Sequence, residues 1–230
     1  KTFTSVNFNM MIMVIYALIT IAIFSMWCYA RYEGNFLPSP KKTFNPMMLA
    51  AIVILVPGTQ FAANFIANLT GYIRPDWLQQ YNELFETSGI TDTTFVTVLY
   101  SVILAPICEE LIFRGVTMRC ARKALPFALA NLMQAALFGL FHLNWIQGIY
   151  AFALGIVLGY VCERGGSIYY SMGLHLLFNL WGTLSGFFPD PGNSVVVFVV
   201  VIAVTIVSLV AGFVLFNKGR RKLPINSTGI

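Results

Sequence analysis

The 230-residue sequence predicts an all-α, polytopic transmembrane helical bundle on three observations. Hydrophobic residues make up 58% of the chain and charged residues only 10%, with a mean hydropathy of +0.76, outside the range of soluble domains. The apolar residues fall into about seven stretches near the ~20 residues that carry a helix across a ~30 Å hydrocarbon layer. The basic residues collect in alternate connecting segments, the mark of cytoplasmic loops. The 14 Lys+Arg and 9 Asp+Glu are too few to coat a water-soluble globule of this size. The net charge of +5 is spread over short inter-span segments, so it reads as topology, and no nucleic-acid partner is expected.

In chain order the stretches lie at about residues 7–30, 46–69, 93–119, 126–143, 146–162, 168–187 and 194–217. The first is too long for a signal-peptide core and lacks an A-x-A pattern, so it is expected to be a permanent span. Arg31, Lys41 and Lys42 follow span one. Arg119, Arg122 and Lys123 follow span three, Arg164 follows span five, and Lys218, Arg220, Arg221 and Lys222 lie in the tail, so eleven of the 14 basic residues share one side. Lys1 and Arg74 lie on the other, with Asp76, Glu83, Glu86, Asp92 and Asp190, and strict alternation then predicts an N-out, C-in chain. Segment 70–92 places Trp77, Leu78, Tyr81, Leu84 and Phe85 at helical spacing and is expected to lie along the outer interface as an amphipathic helix. The tail 218–230 reads as a basic anchor at the inner surface. No internal repeat or second domain is visible, so residues 1–230 form one membrane domain with a core at about 93–187. Cys28, Cys108, Cys120 and Cys162 show no CxxC pairing and imply no disulfide framework.

Five ionisable residues fall inside the apolar stretches: Glu109, Glu110 and Arg114 in span three, His142 at the end of span four, and His175 in span six, one turn before Asn179. Each costs roughly 2.5–3.5 kcal/mol to insert, so such groups pair or face a cavity. Glu110 and Arg114 are i and i+4 and can form an ion pair; Glu109 lies about 100° round the helix with its carboxylate free. His175 with Asn179, and Phe138 with His142, repeat the i, i+4 spacing, so each helix offers one stripe. Taken singly, a Glu–Arg staple or a lone membrane histidine is usually a packing device. Gathered on three helices with almost no other buried charge, the set points to chemistry. A carboxylate and an imidazole that share a water can deprotonate it, and a second imidazole with an amide can stabilise a tetrahedral oxyanion.

Glu109-Glu110-Leu111-Ile112-Phe113-Arg114 fits EExxxR, Phe138 to His142 fits FxxxH, and His175 to Asn179 fits HxxxN. In this order the three resemble the motifs of the CAAX protease and bacteriocin-processing (Abi) family, over roughly residues 93–187. The resemblance implies an intramembrane glutamate protease that works without metal or cofactor. Glu109 and His142 would activate water, His175 and Asn179 would form the oxyanion hole, and Glu110, Arg114 and Phe138 would support them. A peptide or membrane-anchored protein substrate, entering from the inner side, is expected with it, and the small size and compact loops read as bacterial, so the expected location is a bacterial cytoplasmic membrane. Three other readings stay open: a metal-dependent protease, a cysteine protease using Cys108, and a silent scaffold that binds another membrane protein. A transporter is a fourth, hinted at only by Pro57-Gly58 in span two. Counted at about 1.5 Å per residue from the inner helix ends, Glu109 and Asn179 lie near 15–16 Å, His175 near 10 Å, and His142 some 24 Å away, a poor match for a shared site.

Overall fold

A computed structural model describes residues 2–31, 44–88, 94–185 and 194–220. Among these residues there are eight helices and no strand: α1 (Thr2–Arg31), α2 (Pro46–Ile73), α3 (Pro75–Ser88), α4 (Phe95–Arg122), α5 (Phe127–Phe141), α6 (Trp145–Gly165), α7 (Ile168–Ser185) and α8 (Val195–Arg220). Each of the seven predicted stretches is a helix, and the amphipathic stretch is α3. Residues 221–230 of the basic tail, together with Lys1, Lys41, Lys42, Asp92 and Asp190, lie outside the described residues.

Five helices, α1, α2, α4, α6 and α8, are long and apolar enough to cross a bilayer. The other two predicted spans differ for physical reasons. α5 has 15 residues, about 22 Å of helix, short of the ~30 Å hydrocarbon layer. α7 has 18 residues and loses apolarity to Ser171, His175, Asn179 and Thr183. Large apolar side chains such as Val199, Ile206, Val207 and Val210 on α8, and Ile19 and Ile23 on α1, remain exposed on the bundle's outside. A contiguous belt of this kind requires lipid, and the protein is an integral membrane protein.

α2 and α8 form the closest helix pair. Pro57 removes the N–H that Val53 O would accept, but α2 continues to Ile73, and Ser208 of α8 braces the turn beside it. Its Oγ accepts from Gly58 N–H at 2.9 Å and donates to the Ile54 carbonyl, the two groups that would otherwise bond each other. Gly58 permits this approach, since a Cβ there would lie 2.8 Å from Ser208 Oγ.

One end of the bundle gathers the helix termini that carry the basic residues. Asn45 caps α2 through Met47 N, receives the Gly219 region through Nδ2 to Gly219 O at 3.2 Å, and gives its own N–H to the Tyr170 hydroxyl. Arg122 pairs with Glu163 at 3.2 Å, and Gly166, left-handed at φ 64°, ends α6 before Ser167 caps α7. At the opposite end α3 lies against the start of α6, where Trp77 stacks on Trp145 with centroids 5.3 Å apart. Paired indoles there suit a membrane–water interface.

Candidate active site

α4 carries the two glutamates between π-helical turns, Leu99–Leu104 before them and Leu111–Met118 after them. Pro106 explains the first. In the π register Ser101 O would accept from residue 106, which has no N–H, and Ala105 N–H is already given to Tyr100 O. The Ser101 carbonyl is therefore free for a side chain, and Asn179 Nδ2 of α7 donates to it at 2.8 Å. A proline three residues before Glu109 thus fixes the amide of the third motif.

The i, i+4 spacing separates the two glutamates as read from the sequence. Glu110 is fully buried, and its Oε1 accepts from Arg114 Nη1 at 2.8 Å and lies 3.0 Å from His175 Nδ1. A carboxylate paired with a guanidinium only accepts, so Nδ1 is the donor and His175 is held with Nε2 turned the other way. Nε2 lies 3.6 Å from Glu109 Oε2. The Glu109 side chain keeps 16% exposure and faces a cavity of about 810 Å³ that His142, His175 and Asn179 also line. Glu109 therefore does not point into lipid, and all four expected catalytic residues meet at one cavity.

Phe138 arranges the imidazoles. Its ring meets His142 edge-on at 5.0 Å and His175 edge-on at 5.7 Å, while the Arg114 guanidinium lies over its face at 4.7 Å. His142 is the C-cap residue of the short α5, followed by Leu143 at φ 54° and by Asn144, which caps α6 through Gln147 N. His142 lines the same cavity as Glu109 despite the mismatch in depth counted along the sequence. α5 stops at His142, and contact with Phe138 keeps the ring beside the cavity.

Behind the site lies a polar layer that the motifs do not contain. Arg114 Nη2 donates to Gly155 O at 3.1 Å, and Gln134 Nε2 shares that carbonyl at 2.9 Å while also donating to Asn131 Oδ1 at 2.7 Å. Asn131 Nδ2 donates to Ile156 O at 3.0 Å. Gln134 is fully buried and Asn131 nearly so. Two amides at i, i+3 in an otherwise apolar helix are a sequence signal that could have found this layer. Small residues on α6 admit it: a Cβ on Gly159 would lie 1.9 Å from Asn131 Oδ1, and one on Gly155 would lie 3.1 Å from Ala135.

Cys108 is packed in the interior, with 4% exposure. Among the described residues, no three His, Cys, Asp or Glu side chains group as a metal ligand set. Glu110 is already committed to Arg114 and His175.

The arrangement is that of a membrane helical bundle holding carboxylates, imidazoles and an amide around one cavity. Residues 91–181 match the family described as type II CAAX prenyl endopeptidase Rce1-like, in agreement with the resemblance carried by the three motifs. No curated protein and no solved structure matches the chain.

Proposed function

We propose that the protein is a membrane endopeptidase of the CAAX-protease type that hydrolyses a peptide bond with an activated water. The observation that carries this reading is the Glu109 carboxylate 3.6 Å from His175 Nε2, on a cavity shared with His142 and Asn179. Glu109, helped by His142, takes a proton from water as the water oxygen attacks the scissile carbonyl. His175 and Asn179 donate hydrogen bonds to the resulting oxyanion.

These roles fix the proton count the site would need. With its Nδ1 proton given to Glu110, His175 can donate through Nε2 only as an imidazolium. Glu109⁻, Glu110⁻, Arg114⁺ and His175⁺ then sum to zero, which suits a buried site. When water attacks, Glu109 becomes neutral and the oxyanion takes up its negative charge, so the site stays neutral. Collapse of the intermediate breaks the C–N bond, and the proton on Glu109 passes to the departing amine. The products are a carboxylic acid and an amine, which become carboxylate and ammonium once the acid proton passes to the amine, and the proposed route uses no covalent enzyme intermediate, metal or cofactor.

The topology proposed with this activity is seven passes, N-out and C-in, in a bacterial cytoplasmic membrane. Its support is the gathering of Arg119, Arg122, Arg164, Lys218 and Arg220 at one end of the bundle. Peptide maturation or bacteriocin self-immunity fits such an enzyme.

The test is hydrolysis of candidate peptides in proteoliposomes by wild type, Glu109→Ala and His142→Ala, each with and without a strong chelator. Cleavage by wild type that survives the chelator and is lost in both variants is expected. A metal enzyme would lose activity to the chelator, and a scaffold would keep its cellular role in Glu109→Ala.

A further inference from the structure

We infer that the cavity takes its substrate from the membrane face opposite the basic helix ends, so that the scissile segment belongs to an extracytoplasmic or outer-leaflet-anchored peptide. This rests on the peptidase reading above and reverses the inner-side access expected from the sequence.

The walls of the cavity occupy only one half of the bundle. They run from Ala67, Thr97 and Ser185, near the α3 end, down to Glu109 and His175. Along α7 the ten residues from Ser185 to His175 make a shaft about 15 Å deep. Below His175 the described side chains are close-packed. Arg114, Leu158, Tyr170 and Leu174 have no exposure, and Phe113 and Val161 are buried beside them. A peptide has no route to Glu109 through that plug without dismantling the Glu110–Arg114 pair.

The plug separates the site from the basic end. Arg119, Arg122, Arg164, Lys218 and Arg220 all lie beyond it, on the last turns of α4, α6 and α8. The K/R bias assigns that end to the cytoplasm, which leaves the open end outside. At the open end Trp77 stacks on Trp145 at the interface. A cytoplasmic C-terminus, prenylated or not, would face the closed end.

The walls also describe the segment that fits. Among the described residues lining the cavity there is no Lys, Arg or Asp, and Glu109 is the one carboxylate. Above it the walls offer the amides of Gln60, Asn64 and Gln147 and the hydroxyls of Thr97, Tyr100 and Thr183. Neutral donors and acceptors of this kind match the backbone of an extended, uncharged peptide.

The experiment uses cysteine accessibility in the full-length protein. Cys28, Cys108 and Cys162 are buried, while Cys120 is exposed at the basic end and serves as an internal control. Asn64→Cys, on the cavity wall, and Ser185→Cys, at its rim, are treated with a membrane-impermeant maleimide in right-side-out spheroplasts and in inverted vesicles. The expected result is modification of both introduced thiols in spheroplasts and of Cys120 only in inverted vesicles. The inference is overturned if the introduced thiols react only in inverted vesicles. A second arm adds a peptide that the wild type cleaves in detergent to the outside of each preparation. Cleavage by spheroplasts supports the inference, and cleavage by inverted vesicles alone overturns it. Labelling requires no turnover, so a protein labelled from outside that cleaves nothing in detergent counts against the peptidase and not against the direction of access.

Discussion

Arg114→Met tests how the buried charges are held. Arg114 and Glu110 have side chains with no exposure and sit 2.8 Å apart. Truncating the guanidinium breaks the buried ion pair and leaves His175 as the remaining partner of the Glu110 carboxylate, a change that costs about 3–5 kcal/mol. The cation–π contact on Phe138 is also lost, while Gly155 O keeps its bond from Gln134. At roughly 2–4 °C per kcal/mol for a chain of this length, the apparent Tm should fall by roughly 6–20 °C. Adding Glu110→Gln removes that carboxylate charge, and a glutamine oxygen can still accept from His175 Nδ1. The double variant should therefore be more stable than Arg114→Met by at least about 1 kcal/mol, a coupling within the usual range for groups in contact. Thermal unfolding in detergent, followed by tryptophan fluorescence, reads all four corners of the cycle. An Arg114→Met protein that melts with the wild type, or a double variant as damaged as the single one, would refute the reasoning.

Three further substitutions probe other parts of the structure. Ser208→Ala removes both hydrogen bonds by which α8 holds α2 beside Pro57 and should cost about 1–3 kcal/mol of stability while turnover per folded molecule stays unchanged. Gly159→Ala places a methyl carbon 1.9 Å from where Asn131 Oδ1 now lies, so it should displace that amide and lower stability by about 1–3 kcal/mol in the same assay. Asn179→Ala removes the proposed oxyanion donor and should lower kcat by about 10²–10³-fold with little change in KM, as measured on a peptide that the wild type cleaves.

The helices were largely legible in the sequence because long apolar runs and the distribution of Lys and Arg follow directly from bilayer thickness and membrane charge asymmetry. α5 and α7 were harder. Both are helices within two residues of the stretches read from the sequence, but α5 has only 15 residues and α7 carries a polar stripe, so neither has the length and apolarity of the other five. The pairing of Glu110 with Arg114 was readable from i, i+4 geometry, and the two are bonded in the structure while Glu109 faces the cavity. The commitment of Asn179 to Ser101 was not readable, because it depends on π-helical turns set by Pro106 that cannot be told from α-helix by apolar periodicity. The amides of Asn131 and Gln134 are visible at i, i+3 in the sequence, but their partners, backbone carbonyls of α6 approached closely at Gly155 and Gly159, are not. The open side of the cavity also escaped the sequence, since it depends on which half of each helix is plugged.

The central claim is that Glu109 activates the attacking water, and Glu109→Gln isolates it, since the amide keeps the size of the side chain while removing its basicity. The decisive measurement is kcat/KM for hydrolysis of one defined peptide in proteoliposomes, with the apparent Tm of both proteins recorded alongside. General-base catalysis contributes about 10²–10⁴-fold, so a loss of at least about 100-fold at an unchanged Tm is expected. Hydrolysis by a well-folded Glu109→Gln protein at nearly the wild-type rate would contradict the account.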